Sequence, residues 1–257
     1  MKQYIVDAFT DKVFCGNPAA VCVLNKWISD DLMQNIALEN NLSETAFAVK
    51  EGEKYHLRWF TPNGEIDLCG HATMATAYVI TRWIEPEIDR VRFTTLSGEL
   101  VVERMGKLLA ISLPAYAVKK TDVTDLMEEV LGIRPKEAYL DRDLLCVLEN
   151  EEQVKTLTPD LSKALELDGL LLCVTAKGTE HDCVSRIFAP KCGISEDPVT
   201  GSAHCMIAPY WSEILGKNDL IAYQASKRSG VIHASVQKDR VILKGTSAHY
   251  ATADLML

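Results

Sequence analysis

The chain has 257 residues, 47% of them hydrophobic and 25% charged, which suits one large or two modest domains with a substantial core. A net charge of −9 argues against nucleic acid and anionic membranes as partners, although a local site can oppose the overall charge. Met1–Val6 lacks a signal-peptide pattern, no segment reaches bilayer-spanning length, and the eight cysteines include no C-x-x-C pair, so the expectation is a cytoplasmic protein with free thiols.

In chain order, Tyr4–Phe9 reads as a first strand, and Phe14-Cys15-Gly16-Asn17-Pro18 as a sharp turn before a strand over Ala20–Leu24. Ser29 is placed to cap a helix running to about Asn40, with Leu32, Met33 and Ile36 on its inner face. A strand then begins around Leu42-Ser43-Glu44, and another covers His56–Phe60 before the turn Thr61-Pro62-Asn63-Gly64. From Asp67 to Arg82 there is no formal charge, and small residues alternate with Met74, Tyr78, Val79 and Ile80. A surface helix carries a polar face and this stretch has none, which predicts a helix buried on all sides, opened at Gly70.

Strands are expected over Val91–Thr95, Gly98–Arg104 and Leu108–Leu113, and Pro114–Thr121 as the crossing between halves. Asp122–Leu131 reads as helix, Ala138–Leu148 as largely extended and Glu151–Leu167 as one or two short helices. Strands over Gly169–Thr175 and Cys183–Phe188 lead to a second uncharged stretch, Pro198–Ser212, opened at Gly201. Leu220–Gln224, Gly230–Gln237 and Arg240–Gly245 complete a strand-rich second half.

The two halves echo each other. Arg58-Trp59-Phe60-Thr61-Pro62 and Arg186-Ile187-Phe188-Ala189-Pro190 share the pattern R-x-F-x-P, roughly half the chain apart. Gly70-His71-Ala72 then matches Gly201-Ser202-Ala203 if three residues are inserted before the second glycine. This suggests an internal duplication. Two helix N-termini facing one another across a cleft would suit a small carboxylate, because the first N–H groups lack intrahelical partners and the helix dipole favours an anion.

There is no G-x-G-x-x-G, no Walker loop, no G-x-S-x-G and no metal-type spacing among the histidines and cysteines, so neither a nucleotide cofactor nor a metal is expected. The polar groups beside the buried helices are His71, the Glu196-Asp197 pair, Ser202 and the isolated Glu44.

Four segments, DAFTDKVFCGNPAAV, NNLSETAF, LCGHAT and SEDPVTGSAH, resemble in order the PhzF-like (phenazine-biosynthesis) family, a branch of the diaminopimelate-epimerase-like fold. The resemblance covers nearly the whole chain. It implies an α+β protein of two similar lobes from a duplication, about 1–115 and 118–245, each a curled, mostly antiparallel sheet around a central buried helix. The extreme C-terminus, about 246–257, would pack back onto the first lobe. It also implies cofactor-independent isomerisation of a small carboxylate-bearing metabolite by proton transfer, in a homodimer. By motif position Glu44 matches the family's acid/base, with His71 and Asp197 as catalytic partners. Asn17, Ser43, Gly70, Gly201 and Ser202 match substrate-contacting positions. An epimerase or racemase of the same fold, and a non-catalytic metabolite-binding or interaction protein, are the alternatives. Two-base epimerases of this fold use two opposed cysteines. Here Cys69 has no thiol counterpart near Asp197, and packing is its expected role.

Overall fold

The computed structural model describes every residue from Met1 to Leu257. The chain divides into two compact units, unit 1 comprising Met1–Ser112 with Lys244–Leu257, and unit 2 comprising Leu113–Leu243. It begins with β1 (Lys2–Ala8), β2 (Asn17–Leu24), helix α1 (Asp30–Asn40), β3 (Glu44–Glu51), β4 (Lys54–Thr61) and β5 (Gly64–Ile66). Helix α2 (Gly70–Val79) runs into a π-helical turn at Ile80–Ile84, followed by β6 (Arg90–Thr95), β7 (Gly98–Met105) and β8 (Leu108–Pro114). Next come β9 (Lys119–Thr121), α3 (Asp125–Leu131), β10 (Glu137–Leu140), β11 (Leu144–Val147), α4 (Glu151–Thr156), β12 (Leu172–Lys177) and β13 (Cys183–Phe188). The last elements are β14 (Glu196–Asp197), α5 (Gly201–Leu215), β15 (Asp219–Gln224), β16 (Gly230–Gln237), β17 (Arg240–Gly245) and β18 (Ser247–Asp254).

Strand pairing repeats from one unit to the other. In unit 1, β1 lies antiparallel to β18 and β2, β2 is parallel to β3, and β3 is antiparallel to β4. β4 then pairs antiparallel with β5 and parallel with β6, which is antiparallel to β7. In unit 2, β10 lies antiparallel to β9 and β11, β11 is parallel to β12, and β12 is antiparallel to β13. β13 pairs antiparallel with β14 and parallel with β15, which is antiparallel to β16. The order of parallel and antiparallel steps is the same, as a duplicated α+β fold requires.

Each sheet has a helix against it. Helix α2 packs on β1, β2, β3, β7 and β18, strands from both sides of its sheet, so the sheet curls around it. Every residue of α2 except Tyr78 is buried. Its threonines avoid stranded hydroxyls by bonding back one turn, Thr76 to the carbonyl of Ala72 at 2.7 Å and Thr73 to that of Cys69. In unit 2, α5 packs on β15 and β16 and carries Pro209 in its interior. Proline lacks the N–H that would have bonded Cys205, and the Cys205 carbonyl instead accepts from the backbone N–H of Tyr116 at 2.9 Å.

Several boundaries differ from the sequence reading. β2 begins at Asn17, so Asn17 and Pro18 belong to a strand rather than to the preceding turn. Leu32 is partly buried and packs against the same core as Met33 and Ile36, which Ala37 joins on the inner face of α1. Helix α3 starts at Asp125 because Thr124 caps it by accepting from Met127 N–H at 3.2 Å. β12 starts only at Leu172, and the inter-half crossing contains β9. β18 is absent from the sequence reading, since SAHYATAD alternates small and polar residues without a strong apolar face. No helix is long and apolar enough to cross a membrane.

Candidate functional site

Unit 1 gathers Asn17, Glu44, Cys69, Gly70 and His71 at the start of α2. Gly16 sets the first of them. It sits at φ +65°, and a Cβ there would lie 2.2 Å from the Ala8 carbonyl oxygen, so only glycine lets the chain turn this tightly into β2. Asn17 follows, wholly buried. The register of β2 against β3 places Ala19 opposite Glu44, the first residue of β3. Asn41 ends α1 in the left-handed region, and the Asn40 amide donates to Thr45 Oγ1 at 2.9 Å, which fixes the approach to Glu44. Ser43, half-buried, immediately precedes β3.

His71 is the centre of the cluster. Its Nε2 lies 3.0 Å from Glu44 Oε2, and both side chains are largely shielded, with 6% and 14% exposure. On the other edge of the ring, Nδ1 lies 3.2 Å from the Asn17 amide nitrogen and 3.4 Å from Cys69 Sγ. In the neutral ring Nδ1 accepts from these two donors, leaving Nε2–H to face the carboxylate. Burial opposes charge on the imidazole, but its contacts with Cys69 and Glu44 outweigh burial and hold His71 well above the ordinary histidine value. The Cys69 thiol is itself pushed up to about 11, by burial and then by the Glu44 charge. It is therefore uncharged near neutrality, which leaves the Glu44 carboxylate as the anion that sustains His71. Cys69 is thus more than packing: it touches the imidazole, as its expected role did not foresee.

Glu44, Cys69 and His71 bring their ligating atoms within 4.8 Å of one another. The carboxylate and the thiol, however, stand at opposite nitrogens of the ring. An ion on either nitrogen would gain at most one of the other two groups, short of the three protein ligands usual for a catalytic zinc. The carboxylate and the thiol therefore flank the ring rather than converge on one point.

Unit 2 builds a second polar group at the start of α5. Asp197 lies on the short strand β14, and its Oδ2 accepts from the Thr200 hydroxyl at 2.5 Å. Gln224, wholly buried on β15, straps this loop. Its Oε1 accepts from Thr200 N–H at 2.8 Å, and its Nε2 donates to the Asp197 carbonyl at 2.6 Å and to Thr200 Oγ1 at 3.2 Å. Gly201 and Ser202 open α5, and no side-chain oxygen caps the first turn of either α2 or α5. Glu196 plays a different part, held by Arg186 at 2.8 and 3.0 Å.

Sequence reasoning missed Thr200 and Gln224. A signal for Gln224 existed: Leu220, Ala222 and Gln224 alternate with outward residues, so the amide shares the inner face of β15. His204, one turn into α5, was also missed. It is fully buried with Nδ1 2.7 Å from the Thr200 carbonyl, and burial pushes it down to about 4.

Comparison with known proteins places this geometry. The family model described as phenazine biosynthesis-like protein matches residues 6–253. An uncharacterized isomerase of Pseudomonas aeruginosa is 46% identical, over 98% of this chain and 97% of the relative. The crystal structure of a PhzF-family phenazine biosynthesis protein from Enterococcus faecalis superposes with a TM-score of 0.98 at 48% identity, covering 100% of this chain and 99% of that one. A hydroxyproline epimerase from Agrobacterium vitis shares the fold alone, with a TM-score of 0.64 at 10% identity over 98% and 91% of the two chains. By its family match and its close relatives, the chain belongs to the phenazine biosynthesis-like family and is an isomerase of that family.

Proposed function

We propose that this isomerase moves a proton between carbons of a small carboxylate-bearing metabolite, without a cofactor, and that Glu44 is the acid/base. The observation that carries the reading is the shielded contact between Glu44 and His71 Nε2 at the start of α2. Glu44 takes the carbon-bound proton as a carboxylate and returns it to another carbon as a carboxylic acid, so protons and electrons balance without a redox partner. His71 keeps an N–H on the carboxylate through both stages, while Asn17 and Cys69 hold the other edge of its ring. The N–H groups that open α2 around Gly70 suit a substrate carboxylate, with Ser43 as a polar contact, and the family resemblance adds Gly201 and Ser202 as substrate-contacting positions and Asp197 as a catalytic partner. A homodimer accompanies this reading on the family resemblance, and a cytoplasmic protein without nucleic acid or membrane partners on its net charge and free cysteines.

The test is a screen of carboxylate metabolites for enzyme-dependent incorporation of solvent deuterium at carbon. On a substrate so found, Glu44→Gln keeps the shape of the side chain but cannot carry a proton, and exchange should fall by about 10²–10⁴-fold. Glu44→Asp should retain part of it. Cys69→Ser, which leaves a hydrogen-bonding group beside Nδ1, should lose far less. Near-normal exchange in Glu44→Gln, or its abolition in a well-folded Cys69→Ser, would transfer the role to the thiol.

A further inference from the structure

At the other end of α2 lies a cavity of about 450 Å³ whose lining belongs wholly to unit 1. That volume is in the range of small-molecule sites, about 300–1,000 Å³. Its charged lining is Arg82, Arg104, Lys107 and Asp11. Three cations against one carboxylate make a local positive excess in a chain of net charge −9.

The cations are poised differently. Arg104 is fixed: Nε donates to Asp89 at 2.7 Å, and its two terminal nitrogens donate to the carbonyls of Thr81 and Pro86 at 2.8 Å each. These bonds also neutralise the carbonyl-rich end of the helix, where the π-helical turn shifts bonding to Glu85 N–H on Ile80 O. A guanidinium has five N–H donors, so Arg104 retains donors beyond these three. The Arg82 guanidinium rests over the rings of Tyr78 and Trp83, at 5.9 and 5.7 Å, and its anchorage is aromatic. Lys107 stands exposed at the tip of the β7–β8 hairpin, beside Gly106. Ser247, at the start of β18, adds a buried hydroxyl that has no protein hydrogen-bond partner.

We propose that this cavity binds a small metabolite through a phosphate monoester group. Guanidinium, ammonium and hydroxyl donors suit the several acceptor oxygens of such a dianion, and charge-assisted bonds of this type are the strong ones. Asp11 offers an acceptor to a hydroxyl on the ligand body, and Tyr78 and Leu109 give that body an apolar wall. The site is distinct from the acid/base cluster. Arg82 follows His71 by eleven positions, which at 1.5 Å per helical residue puts roughly 16 Å between the two ends.

The test uses the full chain with glycerol 3-phosphate as probe, at constant ionic strength set by sodium chloride. Calorimetry should show saturable binding, and backbone amide shifts should centre on Gly106, Lys107 and Thr246. The double variant Arg82→Ala/Lys107→Ala alters two exposed side chains and should weaken binding by about tenfold or more. Ser247→Ala should weaken it less, and Asp11→Asn should tighten it by removing the opposing charge. The proposal is overturned if chloride alone reproduces the effect. It is equally overturned if the double variant binds unchanged, or if the shifts centre on Gly70, His71 and Gly201, which would make the probe a ligand of the helix N-termini.

Discussion

His204 should make this protein lose stability in acid, by an amount that can be calculated. The imidazole is fully buried, donates from Nδ1 to the Thr200 carbonyl at 2.7 Å, and has its pKa lowered to about 4 by burial. In the unfolded chain it returns to about 6.5. Between those values the unfolded state binds the extra proton, so stability falls as pH drops below about 6.5 and levels off below about 4. Each tenfold difference in proton affinity between the two states is worth about 1.4 kcal/mol, and the loss between neutrality and pH 4 is about 3 kcal/mol. His71 has the opposite sign: its raised value contributes stability that is fully present below about pH 6.5 and lost as pH climbs through the folded value, so on acidification it offsets part of the His204 loss, equally in the unmutated protein and in a variant altered only at His204. The assay is urea unfolding at about pH 7.5 and about pH 4. His204→Asn retains an N–H near the position of Nδ1 but does not titrate. Its stability difference between the two pH values should be smaller than the unmutated protein's by about 3 kcal/mol, with carboxylate contributions common to both. Equal pH dependence in the two proteins would refute a neutral, buried His204.

Two further substitutions test how the site is held. Gln224→Met keeps the volume but removes three side-chain hydrogen bonds and strands the Thr200 N–H, so urea unfolding should show a loss of about 3–5 kcal/mol, and a loss under about 1 kcal/mol would mean that the strap is dispensable. Gly16 and Gly216 share a φ of +65°, but only at Gly16 would a Cβ meet other atoms, so Gly16→Ala should cost clearly more than the roughly 1–2 kcal/mol expected of Gly216→Ala. Equal losses would show that conformation alone, not the close approach to Ala8, demands glycine there.

What could be read from the sequence was what leaves a periodic or compositional trace. The uncharged run around Gly70–Val79 announced a helix with no solvent face, and all of it but Tyr78 is buried. Glu44 was legible through its place in the family segment NNLSETAF, since by its neighbours alone it reads as a surface glutamate at a strand entrance, whereas its side chain is only 14% exposed. The contacts that complete the cluster left no such trace. Cys69 looks like any small buried hydrophobe until the helix start brings its Sγ to the His71 ring. Gln224 reaches Asp197 and Thr200 across more than twenty residues, through strand pairing that local propensity does not encode. The start of β2 was misplaced for a similar reason: Asn17-Pro18 has turn composition, and pairing with β1 overrides it.

The two units share a scaffold and differ in chemistry, and their internal hydrogen bonds show where the division falls. Arg58 on β4 grips Glu65 on β5 with two bonds of 2.7 Å, and lies 5.2 Å from the centre of the Phe60 ring. Arg186 on β13 grips Glu196 on β14 at 2.8 and 3.0 Å, and lies 4.9 Å from the centre of the Phe188 ring. Seven residues separate the first pair and ten the second, which is the three-residue insertion inferred from the glycines. The R-x-F-x-P arginine is therefore a clip that ties a strand to the short return strand leading into a glycine-opened helix. Bidentate geometry and partial burial make it a specific tie rather than a passing surface pair. What the duplication preserves is the aim of a helix N-terminus. Glu44, the proposed acid/base, stands outside that preserved part. β3 begins with Glu44, whereas β12 begins with Leu172, which is 4% exposed and packs into the unit 2 core. The residue after the helix glycine likewise differs, His71 in one unit and Ser202 in the other. One copy thus holds a titratable pair where its counterpart holds a leucine and a hydroxyl, a composition suited to a single acid/base that returns the proton it took rather than to two opposed bases.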